Sequence, residues 1–536
     1  MKRFLSTAAA FAFPALLMAQ SDLGYNTAKY GGMRLSSAQT AVNWQRAVNF
    51  DIENSMAYAS RDMGAPVDFM LHLADSTAFR PLRRHESNVV EASFSNVNNT
   101  GMSLHYDGRR STFGNVLAGG QLSLKGAGTL YGMAAYSNGG VHGVALSYTL
   151  HPEDVAPYFV SDSLGASTMR REIYTVVGGY SLQLGQWALG ADALYEGIAQ
   201  SRNHDPRHTN YAHFIRIGLS GARMWRRDMA SFKITPEWSR QAISANSMQE
   251  GVRFFDFYGF GLYNRRESQG AISYARQQTI RGVGAQALYM HSGAWHVMLE
   301  AGWRYRRLGT EEYNFRNLFA SSAHHFWQQA VVTHANGPWA TMVQLSAWEQ
   351  KRKGEENVYE QKMQDQEQGL YDYVKVATNK LYTLNTCAAD IRVKERLSLS
   401  DKASVFVLGA ATWQHYEEKY KSPLRKITNQ TLTATIASGV SVNQGSWQME
   451  SVFHAAVQGG WDNECSLAGA TNTFQQDMAI TPYELRGENH QELGLTLLAS
   501  HGVGNGLEVG VKAAASYINS DYRKQMAMEA GVFLTF

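Results

Sequence analysis

The sequence predicts an all-β protein: an antiparallel transmembrane outer-membrane β-barrel of about eighteen strands, with sixteen as the alternative count. Three observations carry this reading. Long runs alternate apolar and polar residues with a period of two, the signature of strands. Tight glycine turns alternate along the chain with long polar connections. The polar members of the alternating runs include charges, and on a lipid-facing wall each would cost roughly 2 to 4 kcal/mol at the midplane, so they must face a polar lumen.

Composition allows a membrane protein that is not hydrophobic overall. The chain has 536 residues, 48 Gly against 10 Pro and 12% aromatic residues, with a mean hydropathy of −0.33. No segment after the first twenty residues approaches the ~18 uninterrupted apolar residues of a membrane helix. A barrel needs only every second residue apolar. The formal net charge of +3 favours neither nucleic acid nor a strongly anionic partner. Cys387 and Cys465 are far apart and lack metal-ligand spacing.

Residues 1–19 read as a signal peptide. Met1-Lys2-Arg3 is basic, Phe4 to Met18 is largely apolar, and Ala19 is a small residue at a cleavage site. Residues 20–85 read as a periplasmic or lumen-plugging extension. It mixes Trp44, Phe50, Phe69 and Leu71 with Arg46, Asp51, Glu53 and Arg61, and is too short to bury much core of its own. It is expected in the lumen or its periplasmic mouth.

Residues 86–536 read as the barrel. Gly185-Gln186-Trp187, Gly293-Ala294-Trp295, Gly337-Pro338-Trp339 and Gly445-Ser446-Trp447 each place a glycine turn before a Trp. Glycine supplies positive φ for a tight hairpin. The indole, apolar with one N–H donor, suits the boundary between hydrocarbon and headgroups. The strands that follow keep one face apolar: Trp187, Leu189, Ala191, Ala193 and Tyr195; Trp295, Val297, Leu299, Ala301, Trp303 and Tyr305; Trp447, Met449, Phe453 and Val457. The last run alternates Met526, Met528, Ala530, Val532, Leu534 and Phe536 with Glu529, Gly531 and Thr535. The first pair, near Val90 and Val116, is weakly patterned.

Long connections are expected at His151 to Arg170, Gln200 to Asn210, Gln241 to Gly270, Leu308 to Ser322, Lys351 to Lys380, His415 to Thr428 and Gly459 to Asn489. Counting back from the last strand puts every glycine turn on the periplasmic side and every long loop outside.

The segments Thr129 to Asn138 (TLYGMAAYSN), Pro157 to Glu172 (PYFVSDSLGASTMRRE) and Tyr174 to Tyr195 (YTVVGGYSLQLGQWALGADALY), with Asp205-Pro206-Arg207, resemble a Bacteroidota family of outer-membrane β-barrel proteins of unknown function. The resemblance spans about residues 125 to 225 and implies a barrel in the outer membrane of a Gram-negative bacterium. Its members are similar in setting to proteins that accompany TonB-dependent receptors, which implies partnership with an uptake system.

No residue is assigned a catalytic, cofactor-binding or metal role, and no enzyme activity or cofactor is expected. His204, Asp205 and His208 lie in a Pro-containing loop, and His324-His325 point to opposite faces of a strand. Gly178-Gly179 lies inside a strand with no helix to receive a phosphate. The paired cations Arg170-Arg171, Arg226-Arg227, Arg265-Arg266, Arg306-Arg307 and Lys351-Arg352-Lys353, with Arg304, read as solvated charge, or as a bias toward anions or lipopolysaccharide phosphates. The run Phe254 to Phe260 projects outward or folds in as a constriction. Expected partners are outer-membrane lipid and lipopolysaccharide, with a TonB-dependent receptor as the protein partner and no nucleic acid. The expected function is passage of a small solute; the alternative is a non-enzymatic accessory or surface-binding barrel.

Overall fold

The computed structural model describes residues 89–535 apart from short stretches at 125–127, 146–147, 151, 164, 226, 268–271, 313–315, 366–369, 401, 468–473 and 505–506. The expected leader (1–19) and extension (20–85) lie outside the described residues.

Eighteen antiparallel strands close into a barrel. In chain order the strands are β1 (Val89–Gly101), β2 (Arg110–Leu124), β3 (Gly128–Val144), β4 (Val160–Asp162), β5 (Ser167–Leu184), β6 (Trp187–Ser201) and β7 (Arg207–Trp225). There follow β8 (Asp228–Ser247), β9 (Arg253–Gly259), β10 (Leu262–Glu267), β11 (Ile272–Ser292), β12 (His296–Glu312), β13 (Arg316–Asn336) and β14 (Trp339–Asp365). The last are β15 (Leu370–Ser400), β16 (Ala403–Lys421), β17 (Leu424–Gln444), β18 (Trp447–Leu467), β19 (His490–Gly504), β20 (Leu507–Ser520) and β21 (Arg523–Thr535). Each barrel strand pairs with its sequence neighbour in the wall. β1 meets β21 from Val89 opposite Thr535 to Gly101 opposite Arg523, so both ends of the wall lie at one rim and the seam between first and last strand is closed. The remaining strands, β10-β9-β4, form a small separate sheet.

The period of two decides the faces. Val509, Val511 and Tyr517 on β20 are 42–54% exposed, whereas Lys512, Ala514 and Ser516 between them are buried. Phe453 and Val457 on β18 point outward the same way, and Val452, His454 and Ala456 inward. Outward apolar and inward polar is the wall the alternation predicts, and several of the inward charges are paired. Lys512 bridges Glu91 of β1 and Glu529 of β21 across the closing seam. Lys233 lies 2.9 Å from Asp192.

Several inward glycines are covered by rings from neighbouring strands. Gly302, Gly439, Gly494 and Gly510 sit opposite Trp327, Phe406, His454 and Phe533 on neighbouring strands. In each case the partner's ring lies where a Cβ would stand, 2.0 to 2.2 Å from it. A side chain in place of the glycine and the ring exclude one another, so the glycines seat rings against the wall.

The tight-turn rim is as expected. Gly185, Gly337 and Gly445 have φ of +63°, +58° and +63°, which an L side chain resists. Gly293 sits in a longer bend without positive φ. Trp187, Trp295, Trp339 and Trp447 all lie beside turns of this rim and are 48–53% exposed, on the outward face of their strands.

The opposite rim differs from expectation. The stretches read as long loops at 308–322, 351–380 and 415–428 are largely strand: β14 and β15 run 27 and 31 residues, and β16 passes to β17 through Ser422-Pro423 alone. The connection after β6 is also short, 202–206. Above the apolar band charges fall on both faces of a strand, as at Lys351, Arg352 and Lys353. Hydropathy therefore no longer alternates, although the backbone pairing continues.

Candidate functional site

Three connections at this second rim remain long, and all three fold inward. The first, 145–166, holds a helical turn α1 (Pro152–Val155) and β4. The second, 248–271, is the hairpin β9–β10, and β9 pairs with both β10 and β4. The third, 468–489, holds a π-helical turn (Gln476–Ile480) and α2 (Thr481–Gly487). Together they make a cap across the mouth. The aromatic run Phe254 to Phe260 is its centre: Phe254, Phe255, Phe257 and Phe260 are all buried. Phe255, Phe257 and Tyr263 meet Phe474 edge to face with centroids 4.8–5.2 Å apart, a favoured aromatic geometry. The tip reverses at Phe260 (φ +50°) between Gly259 and Gly261, and Gly259 lets the Tyr420 ring of the wall approach.

The wall holds this cap by its main chain. Arg276 Nη1 donates to the carbonyls of Tyr158 and Phe159 at 3.3 Å each. Arg352 Nη1 donates to Ala156 O at 3.0 Å, and Arg425 Nη1 to Phe260 O at 2.9 Å. Asn210 Nδ2 donates to Tyr148 O at 2.7 Å, Gln278 Nε2 to Tyr158 O at 3.3 Å, and Asn429 Nδ2 to Tyr483 O at 3.1 Å. Buried carbonyls without partners would be costly, so inward wall donors substitute for the water these loops lose on entering the barrel.

Two buried charge clusters tie cap to wall. Arg276 lies between Glu312, also of the wall, and Asp256 of β9, at 3.0 Å from the latter, with Tyr274 OH donating to Asp256 at 3.1 Å. Arg202 reaches Asp162 of β4 and donates to Pro206 O at 2.7 Å and to Tyr148 OH at 3.1 Å. A third contact, Arg306 Nη1 to Asp154 Oδ1 at 3.0 Å, is half-exposed. Burial, and then Asp162, pushes the Tyr148 hydroxyl well above its ordinary range, so it stays protonated. His105, in the loop 102–109, packs edge to face on Phe159 at 5.6 Å, and burial lowers its pKa from 6.5 to about 4.

The cations flagged by the sequence are divided by the wall. Arg171, Arg304, Arg306 and Arg352 face inward, while Arg170, Arg307, Lys351 and Lys353 face outward. The histidines are not brought together. His204 is exposed, whereas His208 is buried and stacked on Tyr148 at 4.2 Å. His324 stacks on outward Trp303, and His325 contacts inward Trp327 and Trp348. Among the described residues no group of three His, Cys, Asp or Glu side chains is arranged to hold a metal. The residues that hold the cap, Arg276, Arg425, Asn210 and Asp256, carry no sequence signal beyond the inward parity of the wall positions.

A family of unknown function (DUF6850) matches residues 80–536. No curated protein sequence matches the chain. Among solved structures the chain is similar to the ferric-catecholate import receptor Fiu of E. coli K12, at 8% identity over 84% of this chain and 82% of that one, with a TM-score of 0.34. It is also similar to the ferripyoverdine receptor of Pseudomonas aeruginosa (6% identity; 83% and 72% covered; TM-score 0.35). A third likeness is to the CymD monoaromatic hydrocarbon channel (9% identity; 88% and 96% covered; TM-score 0.26).

Proposed function

We propose, from the premise that the chain belongs to this family of unknown function, that it is an outer-membrane barrel through which a small solute passes, and that its own loops keep the outer mouth closed at rest. The tight-turn rim then faces the periplasm. The observation that carries the reading is the attachment of the cap, through buried but non-covalent donors to main-chain carbonyls. Charge-assisted hydrogen bonds of this kind contribute about 1.5–3 kcal/mol each. A handful of them closes a mouth yet can be exchanged for bonds to a ligand.

Planar-bilayer recording of the purified protein tests it. We expect low conductance at rest, rising several-fold when 248–271 is replaced by a short Gly-Asn-Gly link. The variant must still migrate differently on a gel before and after boiling, the mark of an assembled barrel. Unchanged conductance in that folded variant overturns gated passage.

One observation favours the accessory reading. Residues 357–365 of β14 and 370–381 of β15 pair only with one another, because β13 ends its pairing at Glu356 and β16 begins at Tyr382. Among the described residues the main chain of this ribbon pairs with no further strand on either edge, which suits it to strand addition by a partner such as a TonB-dependent receptor. A barrel that stays sealed without its cap and co-purifies with a receptor through the ribbon would favour that role. Neither reading involves catalysis.

A further inference from the structure

At the capped rim the outward face of β11 to β17 carries one row of cations. Backbone pairing sets Arg281 opposite Arg307, Arg307 opposite Ser322, Ser322 opposite Lys353, Lys353 opposite Thr383, Thr383 opposite Lys419 and Lys419 opposite Lys426. Arg240 flanks the row on β8, and Lys351 lies one outward step below Lys353. Like charges placed directly opposite one another on neighbouring strands are unfavourable, and this row has two such pairs, Arg281–Arg307 and Lys419–Lys426. Acids offset part of the charge: Glu355 lies 2.6 Å from Arg307, Glu349 2.7 Å from Lys351, Glu417 2.8 Å from Lys419 and Glu464 2.5 Å from Lys426. Seven cations against four acids leave a surplus of three. Arg281 and Lys353, both exposed, have no acidic partner among the described residues.

Below this row on the same strands lies a mostly apolar groove of about 540 Å³, lined by Ala287, Ala301, Gln328, Tyr289, Leu299 and Leu345 among others. Arg307 and Ala301 are six residues apart on β12, as are Lys351 and Leu345 on β14. Six residues are about 20 Å along a strand. At a strand tilt of 35–45° that is a depth of about 14–16 Å, half of the ~30 Å hydrocarbon core. Ala301 is also six residues from Trp295 at the tight-turn rim, so the groove lies midway between the two interfaces and the basic row at the level of the headgroups.

We infer that this face docks a phosphorylated, multiply acylated lipid of the outer leaflet, its phosphates on the Arg281–Arg307–Lys353 row and an acyl chain in the groove beneath. Phosphate between facing cations relieves their repulsion through charge-assisted, partly bidentate hydrogen bonds. The small Ala287, Ala301 and Ala330 of the lining leave room for a chain that larger side chains would displace. The inference rests on the membrane placement proposed above, which detergent extraction and the gel shift test by themselves.

The test is native mass spectrometry of the full-length protein with three probes: a hexa-acylated glucosamine disaccharide lipid carrying two phosphates, the same lipid stripped of phosphate, and inorganic phosphate. The diphosphorylated lipid should be retained at least tenfold more tightly than the stripped one, and less so as salt rises. R281Q/R307Q/K353Q should lower that retention about tenfold, and A301F should lower it with the row intact, both with the gel shift unchanged. If the triple variant fails to assemble, K351Q/K353Q, which alters two exposed side chains alone, is scored instead with a smaller loss expected. Equal retention of the two lipids, unaffected binding in the variants, or saturation by inorganic phosphate with no preference for lipid each overturns the inference.

Discussion

The two rims of the barrel solve one problem, where the chain turns round, by opposite means. At one rim two- or three-residue turns reverse the chain locally. Glycine accepts the positive φ, and the adjacent indole sits on the outward face. At the other rim three connections leave the wall and enter the lumen, where their carbonyls take donors from strands far away in sequence. A local turn needs only the right residue in the right place. A cap needs several wall strands in register before its first hydrogen bond forms, and so depends on closure of the barrel.

The comparison breaks first, and most visibly, at Arg276. Replacing it with Met removes the cation between Asp256 and Glu312 and leaves two buried carboxylates facing each other, a change expected to cost about 3–5 kcal/mol. If the rims are independent, 248–271 should become protease-sensitive while the boiled and unboiled forms still separate on a gel. Loss of the gel shift as well would show that the cap is part of the wall's stability.

The next effect is a pH dependence confined to the cap. His105 titrates near 6.5 when exposed and at about 4 when folded, so the opened loop binds a proton that the closed one refuses. The contact is therefore most stable above about pH 6.5, and loses up to about 3 kcal/mol as the pH falls to about 4. A fluorophore on a cysteine introduced at the exposed Met248, with Cys387 and Cys465 replaced by Ala, would follow cap opening in urea. Its midpoint should fall between pH 7.5 and 4.5, and H105L should flatten about half of that slope, since burial against Tyr148 likewise lowers His208, to about 3. An equal slope in H105L assigns it to other groups.

Smaller effects belong to the tight-turn rim. Changing Gly185 or Gly445 to Val forces a β-branched residue to positive φ, at about 1–2 kcal/mol, and should slow assembly without loosening the cap. The same substitution at Gly293, which lacks positive φ, should do less; equal damage at all three would mean that packing and not φ sets the cost. Smallest of all, E349A removes an exposed partner of Lys351 and should change stability by less than about 1 kcal/mol.

Much of the wall was legible because its rule is local. Trp187, Leu189 and Tyr195 face outward and Lys512 and Glu529 inward by parity alone, and one apolar face per strand suffices to read that parity. The ends of β14, β15 and β16 were not legible, since above the apolar band charges fall on both faces and 351–380 looks like a loop.

By itself, then, the sequence determined strand periodicity, the direction each side chain faces within the apolar band, and the turns of one rim, all of which rest on chemistry within a few residues. Only the tertiary structure decided that Phe254 to Phe260 turns inward, and that Arg276, Arg352 and Arg425 hold carbonyls 118, 196 and 165 residues away. Those outcomes depend on which strands closure brings around the mouth. No pattern within a short window encodes a contact whose two halves become neighbours only when β1 meets β21.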